Sequence, residues 1–173
     1  VAEKVKEYGL PNLVVDPVMV AKGGDPLLQE EAVDALRTLL VPLAAVLTPN
    51  LPEAAVLLGR RVETLEEARQ AARDIVEMGT KAAVVKGGHL EGDAVDVFYD
   101  GREVRELSAP RVDSTSTHGT GCTFASAIAA GLARGMAMEQ AVARAKEYVT
   151  QAIKSAFPMG GGHGPLNHFY RVW

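Results

Sequence analysis

Three times along this chain a short, almost wholly apolar run appears, and amphipathic stretches of helix length separate the runs. The runs are Leu13 to Val15, Ala44 to Thr48 and Ala82 to Lys86. This alternation constrains the fold more than any other feature. Strands that are apolar on both faces belong to parallel sheets covered by helices, because a half-solvated strand would alternate apolar and polar residues. The stretches between them carry helix punctuation. VAEKVKEY reads as the tail of a helix closed by Gly9 and Pro11. Asp25 can cap a helix with Pro26 at its first position, and LLQEEAVDALRTLL carries the helical period. Another helix is expected from near Leu51 to Gly59, and Thr64 with Glu67 forms a capping box for LEEARQAARDIVEM, ended by Gly79.

The alternation then breaks. AVDVFY, the turn Asp100-Gly101 and REVREL have the period of a β-hairpin. Gly119 to Arg134 reads as a helix bounded by Gly135, and Glu139 to Ala156 as a second with Ala, Val, Tyr and Ile along one face. The tail FPMGGGHGPLNHFYRVW is irregular and is expected to pack against the body. With no repeat, linker or low-complexity tract, the expectation is one α/β domain over residues 1–173. Its sheet is mostly parallel and flanked by helices, with an antiparallel hairpin near one edge.

Composition narrows the function. Eighteen basic against 22 acidic residues leave a net charge of −4 and no basic stripe, which argues against nucleic acid as partner. No apolar run approaches the roughly 20 residues that cross a bilayer. A single cysteine excludes a disulfide framework and a cysteine-rich metal site, and suits the cytoplasm.

In a doubly wound sheet the ligand lies outside the carboxyl ends of the strands. The residues at those ends are Asp16-Pro17-Val18, Thr48 to Glu53, and Lys86-Gly87-Gly88-His89, joined by the loop Asp113 to Gly121. Carboxylates, an amide, a lysine and glycine-rich turns suit phosphate and metal chemistry. Gly119-Thr120-Gly121-Cys122 opens a helix of small residues, so free N–H groups at the positive end of the helix dipole can receive an anion. The rival reading is close packing of that helix, and the pattern matches neither the P-loop nor the dinucleotide fingerprint. Cys122 in this turn can serve as thiolate, base or hydrogen-bond partner, or be a small buried residue. A cysteine hydrolase with His118 as base lacks an orienting third group.

Asn50 and Glu53 form a capping box, and Glu53 can also face a hydrated Mg²⁺. Asp16 ends an apolar strand and needs a partner, Mg²⁺ or Lys86, unless it only closes a turn before Pro17. Lys86 can contact a phosphate or stay solvated. His89, His163 and His168 have no metal-ligand spacing and read as structural or surface residues.

DPVMVAKGGDPLL, LTPNLPEAAVLLG, VVKGGH and STHGTGCTFASAIAAGLA, in this order, resemble the hydroxymethylpyrimidine/phosphomethylpyrimidine kinases of thiamin biosynthesis, within the ribokinase-like superfamily. The resemblance runs from about residue 10 to the last helix. It implies a ribokinase-like fold and MgATP-dependent phosphorylation of 4-amino-5-hydroxymethyl-2-methylpyrimidine and then of its monophosphate. It further implies Gly119, Thr120, Gly121 and Cys122 as an anion hole, and Asp16, Asn50 and Glu53 as organisers of Mg²⁺. Lys86 would touch the ATP phosphates, with Thr48 and Gly88 beside the nucleotide, Val18 in the pyrimidine pocket and Lys146 near the nucleotide. Most ribokinase-like enzymes carry Asp where this chain has Cys122, and that Asp is their usual base. Cysteine there fits the pyrimidine kinase branch and stands against a vitamin B6 kinase.

The resemblance covers roughly the C-terminal two-thirds of a family member, a partial fold with the acceptor-binding part largely upstream. Two expectations follow: weak or no turnover by the chain alone, and self-association, most simply a homodimer, through an uncovered sheet edge. A nucleotide-binding remnant without an acceptor site is the rival from a different class.

Overall fold

The computed structural model describes residues 1–20, 27–88 and 92–172. The cap expected at Asp25 and Pro26, and the expected role of His89, fall outside them. The described chain forms two compact units, Val1–Ser108 and Ala109–Trp173.

The first unit opens with α1 (Ala2–Glu7), followed by β1 (Val14–Val15) and α2 (Glu30–Ala35). A π-helical turn, Leu36–Leu40, and a 3-10 turn, Val41–Leu43, lead into β2 (Val46–Leu47). Then come α3 (Leu51–Leu58), α4 (Leu65–Glu77), β3 (Ala83–Val85), β4 (Ala94–Tyr99) and β5 (Val104–Ala109). The sheet order is β1-β2-β3-β4-β5. β1, β2 and β3 run parallel, and β4 is antiparallel to β3 with Val85 opposite Val97. The sheet is therefore mixed, as the break in the apolar alternation implies.

Burial explains the second and third runs. The first departs from the expectation of a fully buried strand, because β1 ends the strand order and only Val15 is buried while Leu13 and Val14 are half-buried. Val46, Leu47, Ala83, Val84 and Val85 are all inaccessible to solvent. The helix α4 lies on β3 and β4 through Ala68, Ala71, Ala72 and Ile75, each fully buried. Three alanines bring the helix axis close to the sheet, and Ile75 alone contributes roughly 1.5–3 kcal/mol of burial. Both expected capping boxes form, at Asn50/Glu53 and at Thr64/Glu67. Gly59 closes α3 in the left-handed conformation at φ +64°, which a side chain would resist.

Several element boundaries differ from the sequence reading, two of them with a visible cause. The helical period beginning at Leu27 yields a helix only from Glu30, because the Leu27 N–H is held by the Met19 carbonyl at 2.8 Å. The second hairpin strand starts at Val104 rather than Arg102. Asp100 Oδ1 accepts both the Arg102 and Glu103 N–H groups, which keeps those residues in the turn.

The second unit holds α5 (Thr120–Ala133) and α6 (Met138–Lys154), paired with each other. Gly131 is the point of closest approach: a Cβ placed on it would lie 2.9 Å from Ala141 Cβ. The tail does pack on this unit, since Asn167 N–H donates to the Ala152 carbonyl at 3.1 Å. Among the described residues no helix is long and apolar enough to cross a membrane.

Candidate functional site

Parallel strands put their carboxyl ends on one edge, and in the first unit that edge collects the expected polar residues. Asp16 follows β1, Thr48 follows β2 and Lys86 follows β3. Lys86 Nζ donates to Asp16 Oδ1 at 2.7 Å, and the Thr48 hydroxyl donates to the same oxygen at 2.9 Å. The two charged side chains are only 16% and 13% exposed, so Lys86 is not a solvated strand-end lysine. Asp16 does not cap a turn with its side chain either. The Val18 N–H goes to the Asp16 main-chain carbonyl, leaving the carboxylate to Lys86 and Thr48. Val18 stands half exposed beside it.

The main chain fixes this cluster. Lys86 N–H donates to the Pro49 carbonyl at 2.8 Å, and a parallel bridge joins Asn50 to Lys86 beyond the ends of β2 and β3. Asn50 Oδ1 accepts the Glu53 N–H at 2.8 Å, and Glu53 Oε2 accepts the Asn50 N–H at 2.7 Å. The Glu53 residue is 3% exposed. Burial pushes its carboxyl above the ordinary glutamate range. The Asn50 N–H and the Lys86 ammonium pull it back, and the Asp16 charge adds a smaller push upward. The capping reading of Glu53 is thus observed, and it occupies only Oε2 of the carboxylate.

These carboxylates fit Mg²⁺. Among the described residues Asp16 Oδ2 and Glu53 Oε1 accept no hydrogen bond, which leaves one hard oxygen on each. No cluster of three or more His, Cys, Asp or Glu side chains suited to a metal occurs among the described residues. Two carboxylates acting through water, with the remaining ligands from phosphate, is the usual Mg²⁺ arrangement.

Sequence reasoning missed Asp96. This residue is 6% exposed, and its Oδ1 accepts the Gly87 N–H at 3.0 Å, holding the turn that continues through the exposed Gly88. Because β4 runs antiparallel, its early residues lie beside the end of β3. The available signal was a carboxylate inside the apolar run AVDVFY.

In the second unit Gly119 is the N-cap of α5, left-handed at φ +82°, with no side chain capping the helix. The first N–H groups of a helix have no acceptor within it. Here they belong to Thr120, Gly121 and Cys122, and the Thr120 hydroxyl turns back to the Thr117 carbonyl at 2.8 Å. Cys122 is exposed rather than buried, and among the described residues no hydrogen bond joins it to His118. A cavity of about 580 Å³ within this unit is lined by Cys122, Ser126, Ala130, Ala145, Tyr148 and His168, among others. Lys146 is half-buried on α6, and its carbonyl accepts the Thr150 hydroxyl. His163 is exposed, and the His168 ring stacks on Tyr148 at 6.4 Å between centroids.

Known proteins share this fold and are similar in sequence. The family model for phosphomethylpyrimidine kinase matches residues 1–167. A hydroxymethylpyrimidine/phosphomethylpyrimidine kinase of Streptomyces coelicolor is 54% identical over 155 residues, covering 90% of this chain and 58% of that protein. The ADP complex of Bacillus subtilis pyridoxal kinase superposes with a TM-score of 0.90 at 40% identity, over 98% of this chain and 64% of that one. The phosphomethylpyrimidine kinase of Clostridium difficile gives a TM-score of 0.76 at 37% identity, over 88% and 62%. The chain therefore spans about three-fifths of the length of these three relatives. A match along nearly the whole chain, with the same α/β architecture, places it: the chain belongs to the phosphomethylpyrimidine kinase family.

Proposed function

We propose that this chain carries the phosphoryl-transfer residues of a kinase that uses MgATP to phosphorylate 4-amino-5-hydroxymethyl-2-methylpyrimidine and its monophosphate. The observation that carries the reading is the nearly buried Lys86–Asp16–Thr48 cluster at the ends of three parallel strands, with Glu53 in its field. A structural ion pair has no need to sit where such sheets bind ligands.

In the reaction the bond between the β,γ-bridging oxygen and the γ-phosphorus breaks. In the first transfer a new bond forms to the hydroxymethyl oxygen, whose proton is released. In the second it forms to a phosphate oxygen of the monophosphate, with ADP leaving each time. Such transfers pass through a loose transition state, so positioning and charge stabilisation outweigh a strong base. Lys86 places a fixed ammonium for phosphate oxygens, held in place by Asp16. Thr48 orients Asp16 by donating to Oδ1, and Asn50 orients Glu53 through its main-chain N–H. Asp16 and Glu53 would hold Mg²⁺ through water, and that ion, when bound, neutralises phosphate charge. The N–H groups of Thr120, Gly121 and Cys122 would receive oxyanion charge at the Gly119 helix start. The family resemblance assigns Val18 to the pyrimidine and, each within its own unit, Gly88 and Lys146 to nucleotide contacts. Cys122 would face the acceptor hydroxyl as a polar contact. The single cysteine agrees with work in a reducing compartment, the cytoplasm.

A second reading, phosphorylation of a pyridoxal-type acceptor, is favoured by the 0.90 superposition on pyridoxal kinase. Both acceptors present a hydroxymethyl group on a six-membered nitrogen ring, so fold alone does not separate them. The test is a nucleotide titration by calorimetry beside a kinase assay with each acceptor. Binding of MgATP with turnover only on the pyrimidine supports the first reading. Preference for pyridoxal supports the second, binding without turnover identifies a nucleotide-binding module, and no binding refutes all three.

A further inference from the structure

The loop that leads into α5 is held by the irregular segment near the end of the chain. His118 N–H donates to the Gly164 carbonyl at 3.0 Å, and a parallel bridge pairs His118 with Pro165. Two residues earlier, Ser116 is 1% exposed, and its hydroxyl donates to the Phe157 carbonyl at 3.2 Å. The far end of the same segment is moored to the end of α6. Asn167 N–H donates to the Ala152 carbonyl at 3.1 Å, and Asn167 Nδ2 donates to the Ser155 carbonyl at 3.0 Å. Residues 157–167 therefore leave α6, cross the loop at Ser116 and His118, and return to α6.

Gly164 marks the tightest point of this crossing. A Cβ on it would lie 2.7 Å from Ser116 Oγ and 3.5 Å from Ser116 Cβ. Its backbone is not left-handed, so only the space forbids a side chain. What the crossing supports is the start of α5. No side chain caps that helix, and the Thr120 hydroxyl ties it to the Thr117 carbonyl, one residue from each clamped position. The direction of the first-turn N–H groups is thus inherited from the main chain of the loop.

We propose that residues 157–167 act as a strap that aims the Gly119 helix start at its anionic ligand, with Gly164 and Ser116 as positioning residues. The proposal rests on the kinase reading above, because the ligand it names is a nucleotide phosphate. A misplacement near 1 Å at a phosphoryl-transfer site can cost about 100-fold. Gly164→Ala forces a displacement of several tenths of an ångström, taken up either by the loop or by swinging the Ser116 hydroxyl off the Phe157 carbonyl, and either one loosens the crossing.

The test uses Gly164→Ala, Ser116→Ala and the double variant of the full chain. Two readouts are followed: hydrogen exchange at the His118 amide, and MgADP affinity by calorimetry. Gly164→Ala is expected to lose His118 protection and to weaken MgADP binding roughly tenfold to a hundredfold. Removing Ser116 Oγ leaves the new Cβ in ordinary contact with Ser116 Cβ. The double variant should therefore return to the affinity of Ser116→Ala, a rescue that a general loss of stability would not produce. Should Gly164→Ala fail to fold, Asn167→Ala releases the mooring without a clash and should lower both readouts in the same direction. Parental exchange and affinity in Gly164→Ala, or no rescue in the double variant, overturns the proposal. If the parent itself binds no MgADP, the kinase reading falls and the positioning role falls with it. The His118 exchange pattern then still decides whether the strap exists.

Discussion

Replacing Lys86 with Met tests the central cluster, and its cost can be worked from the geometry. The ammonium lies 2.7 Å from Asp16 Oδ1, with the two side chains 16% and 13% exposed. Breaking a fully buried pair costs about 3–5 kcal/mol, because the remaining charge is stranded, while an exposed pair is worth about 0–1 kcal/mol. This pair lies nearer the buried limit. Thr48 still donates to the abandoned carboxylate, which recovers about 1 kcal/mol. The expected loss for Lys86→Met is therefore about 2–3 kcal/mol by urea unfolding. Asp16→Asn in the Lys86→Met background removes the stranded charge and should restore most of it. The functional arm is separate. If Lys86 meets a phosphate through a charge-assisted hydrogen bond, MgATP binding weakens by about 1.5–3 kcal/mol in the folded variant. A stability loss under about 0.5 kcal/mol would refute the burial argument. Unchanged nucleotide affinity would return Lys86 to a purely structural role.

Three further outcomes are expected. Glu53→Gln keeps an oxygen for the Asn50 N–H but carries no charge; burial raises the carboxyl of Glu53, so the folded parent holds that proton more tightly than the unfolded chain. The stability this gives the parent is lost as pH rises from about 4.3 through the raised value, so the variant should gain on the parent over that window in thermal melts and hold its lead above it; a constant difference across the window would contradict the cause given. Gly131→Ala would gain about 1 kcal/mol of helix propensity, yet its Cβ meets Ala141 Cβ at 2.9 Å with no flexible side chain to yield, so a net loss of about 1 kcal/mol is expected, a fall in Tm of about 2–4 °C. A rise in Tm would show that α5 and α6 separate easily. Cys122→Ser should retain measurable phosphoryl transfer in an active enzyme, since loose transition states need little base catalysis; complete loss with nucleotide affinity intact would make the thiolate obligatory.

Sequence alone determined the local structure of this protein. The second and third apolar runs marked the strands that are buried on both faces, and Asn50-x-x-Glu53 and Thr64-x-x-Glu67 marked two helix starts. These are interactions among residues three or four apart, which the chain makes wherever it goes. It also marked the candidate site residues by type and place, since parallel strands send their ends to a common edge. The sequence left open which partner each of those residues takes. Asp16 had three candidate roles, and only the approach of β3 to β1 across β2 put Lys86 on its carboxylate, 70 residues away. Asp96 stayed hidden in an apolar run until the antiparallel turn of β4 laid it against Gly87. Gly164 lay in a tail that read only as irregular, and it was the strap that brought Ser116 Oγ to within 2.7 Å of the place its side chain would take. The first and third of these join segments far apart in sequence, and the second, though only nine residues apart, depends on how β4 pairs with β3; each meeting is set by packing, which no local pattern encodes.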